Sequence, residues 1–262
     1  MRYFDFKTNM MKSIIPIFCT TLSLFLLAGC NDKKKEEKIF PEAVQTKAKV
    51  EQPLPNLMYV IAPSGLLLRK EDNVDSEQMG KMPYGASVKV LSRPDNSSIE
   101  VSGIEGHMIQ VQYNDITGYA YDGYLTRFKV PQRKETPERY ASRLKEDFPK
   151  VSAGSGNGEK DKASATSTQL VIPAGSWSEA FLIAKQLYDI PAEYNFPGLK
   201  GPDKSSLQSR QEHAFTSTLE AERAKNTLTS IKYTESAQSL SRTVKITQDG
   251  DLYKLAQNTT AD

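Results

Sequence analysis

The sequence predicts a mainly β chain in which a small all-β unit precedes a C-terminal α+β unit, one helix packed on an antiparallel meander. Three observations carry this. Residues 56–130 are short apolar alternations broken by turn residues at close spacing, none long enough for a typical helix. Residues 177–189 place Phe181, Ala184 and Tyr188 on one helical face with Ile183, Leu187 and Ile190 beside it, a stripe broad enough to bury against a sheet. Residues 213–257 then alternate with period two in "AFTSTLEAE", "SIKYTES" and "SRTVKITQ".

In chain order, Arg2, Lys7 and Lys12 precede an apolar run from Ile14 to Leu27, and the small residues Ala28 and Gly29 follow. That order is a secretory signal peptide over residues 1–29. The run is shorter than the roughly 20 residues a membrane-spanning helix needs. Leu27-Ala28-Gly29-Cys30 resembles the lipobox of bacterial lipoproteins. The resemblance implies that Cys30 is lipidated, begins the mature chain and holds it on an envelope membrane, each buried methylene contributing about 0.8 kcal/mol. Asn31 and Asp32 leave inner and outer membrane both open.

Removing residues 1–29 takes away three basic side chains and one acidic one, which leaves 31 of each sign. A formally neutral chain carries no basic footprint for nucleic acid. Cys19 leaves with the signal peptide and Cys30 is consumed by lipid, so disulfides, thiolate metal sites and cysteine nucleophiles are excluded. His107 and His213 are too few for a three-histidine zinc site. No metal and no cofactor is expected.

Residues 30–55 are charged first and proline-bearing last, without an apolar period, and read as a tether. Its end-to-end distance would be roughly 25 to 30 Å. Strands are then expected at 58–61, 65–69, 87–91, 108–113 and 118–121, with Asn114-Asp115 as a tight hairpin turn.

Here the residues resemble a family. Leu66-x-Leu68-Arg69, Met79-Gly80-x-Met82-x-x-Gly85 before a valine-rich strand, Val111-x-Tyr113-Asn114-x-x-x-Gly118-Tyr119 and the closing Tyr124-Leu125 are similar to a bacterial SH3-type (SH3b) domain over residues 57–127. The resemblance implies a small SH3-like β-barrel that binds peptidoglycan, a peptide-like cell-wall element or a partner protein. Departures fall where ligands are read: Leu67 stands for the usual Asn, Glu71-Asp72 for Gly-Pro, and Met108 and Tyr119 for tryptophans.

Four of the twelve tyrosines fall between 113 and 124. Tyr113 shares the face of Val111 and is expected in the core. If Ala120 points inward, Tyr119 and Tyr121 lie outside or at the rim. Tyr84, Tyr119, Tyr121 and Tyr124 are therefore the candidate ligand groove, since aromatic rings supply such contacts.

Thr136, Pro137 and the spacing of Tyr140, Leu144 and Phe148 predict a short helix over 136–148. The Gly/Ser-rich residues 152–169 read as a flexible linker ahead of a C-terminal unit at 170–258. In that unit, Ser176 and Glu179 form a capping box, Pro191 ends the helix, residues 191–206 are an exposed loop and Asp249-Gly250 is a hairpin turn. Trp177 reads as an anchor of the helix start. Glu179, Glu193, Glu220, Glu222 and Asp249 have cap, loop, strand-surface and turn roles, and no phosphate loop, nucleophile elbow or metal spacing is present.

The expectation is thus a lipid-anchored, non-enzymatic envelope protein with an SH3-type binding module for peptidoglycan or a peptide-like wall element. Its alternatives are an envelope scaffold whose barrel binds partner proteins, and an enzyme of unrecognised type in the C-terminal unit.

Overall fold

The computed structural model describes residues 56–157, 165–210 and 216–261. The expected signal peptide, Cys30, the tether to residue 55 and His213 lie outside them. The described chain is mainly β. Strands β1 (Leu57–Val60), β2 (Leu66–Arg69), β3 (Gln78–Met82), β4 (Ser87–Ser92), β5 (Ile99–Val101), β6 (Ile104–Gly106), β7 (Met108–Tyr113), β8 (Ile116–Tyr121) and β9 (Leu125–Thr126) form the first half. Seven of them pair antiparallel in the order β3-β2-β8-β7-β4-β1-β9, while β5 and β6 make a separate ribbon.

Alternation decides which side chains face inward. Val88 and Val90 of β4, Ile109 and Val111 of β7 and Ala120 of β8 are buried with Leu68 and Met82. Asn114 takes a φ of 51° in the β7–β8 turn, a conformation that asparagine tolerates better than most residues. The expected closed barrel does not form. Pairing between β2 and β8 is a single pair, Arg69 with Tyr119, and β9 has two residues, so β3 and β9 remain the sheet's two edges.

Helix α1 (Pro137–Leu144) starts at the Thr136 cap, whose hydroxyl accepts from the Arg139 N–H. It stops four residues short of the expected Phe148, although the Phe148 N–H still donates to the Leu144 carbonyl at 2.9 Å.

Beyond it, β10 (Ser152–Asn157), β11 (Ala165–Ile172), β12 (Lys204–Arg210), β13 (Thr216–Ala224), β14 (Thr227–Ala237), β15 (Leu240–Asp249) and β16 (Leu252–Ala261) build a second antiparallel sheet in the order β10-β11-β16-β15-β14-β13-β12. Helix α2 (Trp177–Leu187) carries the chain from β11 to the far edge, and the meander β12 to β16 returns beside β11. Lys225 and Asn226 both take positive φ, 51° and 62°, the requirement of a type I′ hairpin. The last hairpin turns one residue later than expected: Asp249 pairs with Leu252, and Gly250 supplies the positive φ.

One expectation is overturned here, and a second is refined. Much of the expected linker 152–169 is sheet, because Ser152–Asn157 pairs residue for residue with Thr166–Val171, and a backbone ladder needs no apolar period. Residues 158–164 lie outside the described chain. The loop after α2 is largely exposed, as expected, but it is anchored: Tyr194 and Phe196 are buried, and the Arg223 guanidinium, itself buried, donates to the carbonyls of Pro197, Gly198, Leu199 and Pro202.

One core joins the halves. Ile61, Ile104, Phe128 and Val130 pack in the same cluster as Phe181 and Ile183 of α2 and Tyr233 and Ile246 of the second sheet. Arg223→Met should lose about 3 kcal/mol of stability, because the buried guanidinium's bonds to four loop carbonyls are lost at once. Urea denaturation of the 50–262 fragment checks this, and proteolysis should become fastest at residues 197–202; an unchanged midpoint would contradict the anchoring role.

A cleft between the first half and helix α2

The β5–β6 ribbon turns through Ser102 and Gly103 at φ of 53° and 79°, and Gly103 lies against the Phe196 carbonyl, where a Cβ would collide. This contact seats the ribbon on the loop that follows α2. Opposite it, Pro63-Ser64-Gly65 turns from β1 into β2, with Gly65 at φ 83° because a Cβ there would meet the Met82 carbonyl. Between these walls is a cavity of about 510 Å3, floored by Ile104, Met108 and Tyr121 from the first half and by Phe181 and Leu182 from α2.

Tyr121 is a floor residue for a definite reason. Its ring lies between Gly106 and Gly123, where added Cβ atoms would approach it to 2.8 and 2.5 Å, and its hydroxyl donates to the Ile104 carbonyl at 2.5 Å. Burial, helped by the charge of Asp122, pushes the phenol's pKa up, so it stays neutral. Tyr124 meets it edge-on at 5.8 Å and packs against both core clusters.

The sequence-predicted groove is therefore divided. Tyr121 and Tyr124 come together at the cleft. Tyr84 does not line it: its hydroxyl donates to the Pro131 carbonyl at 2.8 Å and its ring packs on the shared core. Tyr119 is half-buried on the first sheet and also stays away from the cleft. Ala120 does point inward, yet Tyr121 is 5 % exposed rather than at a rim, because the chain past β8 covers it. Tyr113, expected in the core, is half-buried at the turn end of the β7–β8 hairpin, opposite Ile116.

Charge in the cleft has one sign. Arg69 and Lys185 line it, and no carboxylate does among the described residues. The Arg69 guanidinium donates to the Ser76 carbonyl at 2.6 Å. Lys185, half-buried on α2, donates to the carbonyls of Ala192 and Tyr194 at 3.0 and 2.6 Å, which holds the loop wall. Burial lowers its pKa, an effect that Glu193 on the same loop opposes. Periodicity does not show this wall, although Ser102-Gly103 between "IEV" and "IEG" is a hairpin signal.

Three of the carboxylates singled out in the sequence serve structure. Glu179 accepts from the Gly175 N–H at 2.6 Å and from the Thr126 hydroxyl at 2.5 Å, so the α2 cap also ties β9 to the second half. Glu220 pairs with Lys232 at 3.0 Å and Glu222 accepts from Ser230 at 2.9 Å. Trp177 is buried edge-on against Tyr253 at 5.2 Å. No group of His, Cys, Asp and Glu able to hold a metal ion occurs among the described residues.

No family model and no curated protein matches the chain. Among solved structures, the tesB protein of Mycobacterium avium subs paratuberculosis is 8% identical over 79% of this chain and 78% of that one, with a TM-score of 0.18. At that score the likeness carries no argument about fold or function.

Tyr121→Ala should lose about 3 to 5 kcal/mol, since it empties a buried slot between two glycines. Tyr113→Ala should lose about 1 kcal/mol, as expected for a half-exposed ring. Denaturant midpoints of the two variants check the assignment, and the reverse ranking would contradict it.

Proposed function

We propose that this chain is a lipid-anchored, non-enzymatic protein of the bacterial cell envelope, held on a membrane through Cys30. Its cleft engages peptidoglycan or a peptide-like cell-wall element. The observation that carries the reading is the cleft itself: about 510 Å3, within the range of sites for small ligands, floored by apolar and aromatic side chains with few polar groups at the rim. The resemblance of residues 57–127 to SH3-type wall-binding modules supports the choice of ligand, and the lipobox-like Leu27-Ala28-Gly29-Cys30 supports the address. Among the described residues the lining holds no histidine, cysteine or carboxylate; its titratable groups are Arg69, Lys185, Tyr121 and Tyr124, set among apolar side chains.

Sedimentation of the 50–262 fragment with purified cell-wall sacculi tests the reading. The fragment should co-sediment, and Leu67→Glu or Val74→Glu, which place charge at the cleft wall outside the core, should weaken binding tenfold or more with little change in melting temperature. Full binding by both variants would remove the cleft from the account. For the anchor, Cys30→Ser should leave the precursor unlipidated and unprocessed by the lipoprotein signal peptidase. A Cys30→Ser chain that loses its signal peptide and still partitions into detergent would contradict it.

A further inference from the structure

The two cations of the cleft narrow the ligand's chemistry further, on the reading that the cleft binds a peptide-like element. Among the described lining residues the formal charges are Arg69 and Lys185, both positive; Glu193, on the loop beyond the lining, lies close enough to act on the Lys185 charge, which makes Arg69 the main donor of the pair toward an anion. A largely apolar setting attracts an anion more strongly than open water does, because fewer solvent dipoles screen it. Neither cation is saturated by its own backbone contacts. A guanidinium has five N–H donors in a planar fork suited to carboxylate, and Arg69 gives one nitrogen to Ser76; an ammonium has three donors, and Lys185 directs two bonds to the loop.

We propose that the cleft recognises a free C-terminal carboxylate: a peptide end whose carboxylate is received by Arg69 and Lys185 while its last side chains lie on the Tyr121 and Tyr124 floor. The remaining polar groups fit a peptide better than a fatty acid. Ser64, Ser102 and Asn195 line the rim, where amide groups have hydrogen-bonding needs and methylenes have none. The volume matches a short peptide end, not a folded partner.

The test is calorimetric titration of the 50–262 fragment with N-acetyl-Ala-Ala-Leu as the free acid and as the C-terminal amide, in all-L and all-D forms, with decanoate as a separate arm. The free acid of one form should bind at least tenfold tighter than its amide, and added salt should shrink that ratio. Arg69→Gln should bring acid and amide within about twofold of each other. Lys185→Gln should reduce the preference as well, and Lys185→Arg, which keeps the charge, should retain it; loss of the preference in both Lys185 variants would remove Lys185 from the carboxylate site and leave it a loop-wall residue. Equal binding of acid and amide would overturn the carboxylate inference and leave the peptide reading standing. No binding of any peptide would overturn the peptide reading itself, and tighter binding of decanoate would assign the cleft to lipid carboxylates instead.

Discussion

Burial of α2 between two layers is the constraint on which the rest of the structure depends. Trp177, Ala180, Phe181, Leu182, Ile183, Ala184 and Leu187 are all buried, so the helix is apolar around most of its circumference. A helix of that kind must be covered on more than one side. The second sheet covers one side with Tyr233, Val244, Ile246 and Leu255, and the first half supplies Ile61, Ile104, Phe128 and Val130. Neither half could bury α2 alone, and the cleft lies where the first half meets α2 at Phe181, Leu182 and Lys185.

Several polar groups at this seam find partners within the protein, although the buried Arg127 Nε and Tyr140 hydroxyl have no hydrogen-bond partner among the described residues. Glu179 satisfies the α2 start and Thr126 with one carboxylate, Arg127 donates to the Pro173 carbonyl while lying over Phe128 and Phe148, and Arg143 bridges Glu135 and the Val130 carbonyl. Each bond exchanges water for protein and is worth about 1 kcal/mol net, yet losing one partner leaves a buried group unsatisfied at greater cost. The loop wall obeys the same logic, held from one side by Lys185 and from the other by Arg223.

Legibility in the sequence followed the range of the interaction. Strands β4, β7, β8 and β13 to β16 were readable because alternation records one buried face, and the starts of α1 and α2 because Thr136 and Ser176 cap within three residues. Strand β10 was not, since its Ser and Gly side chains say nothing of a backbone ladder with β11. The same holds for the open edge of the first sheet, which depends on how many residues β2 and β8 bring into register. Tyr121 was misread because parity along β8 gives a direction but not what lies there, and its slot comes from Gly106 and Gly123. The cleft joins residues from 62 to 196, a separation no local pattern encodes.

Shared burial of α2 predicts that the two sheets open together. Native-state hydrogen exchange on the 50–262 fragment measures this directly, through the amides of Ile109 and Val111 in the first sheet and Val244 and Ile246 in the second. Exchange of all four with one common opening free energy, falling in parallel as denaturant is added, is the predicted result. Two separate free energies, with the first sheet opening while the second stays protected, would contradict a common core.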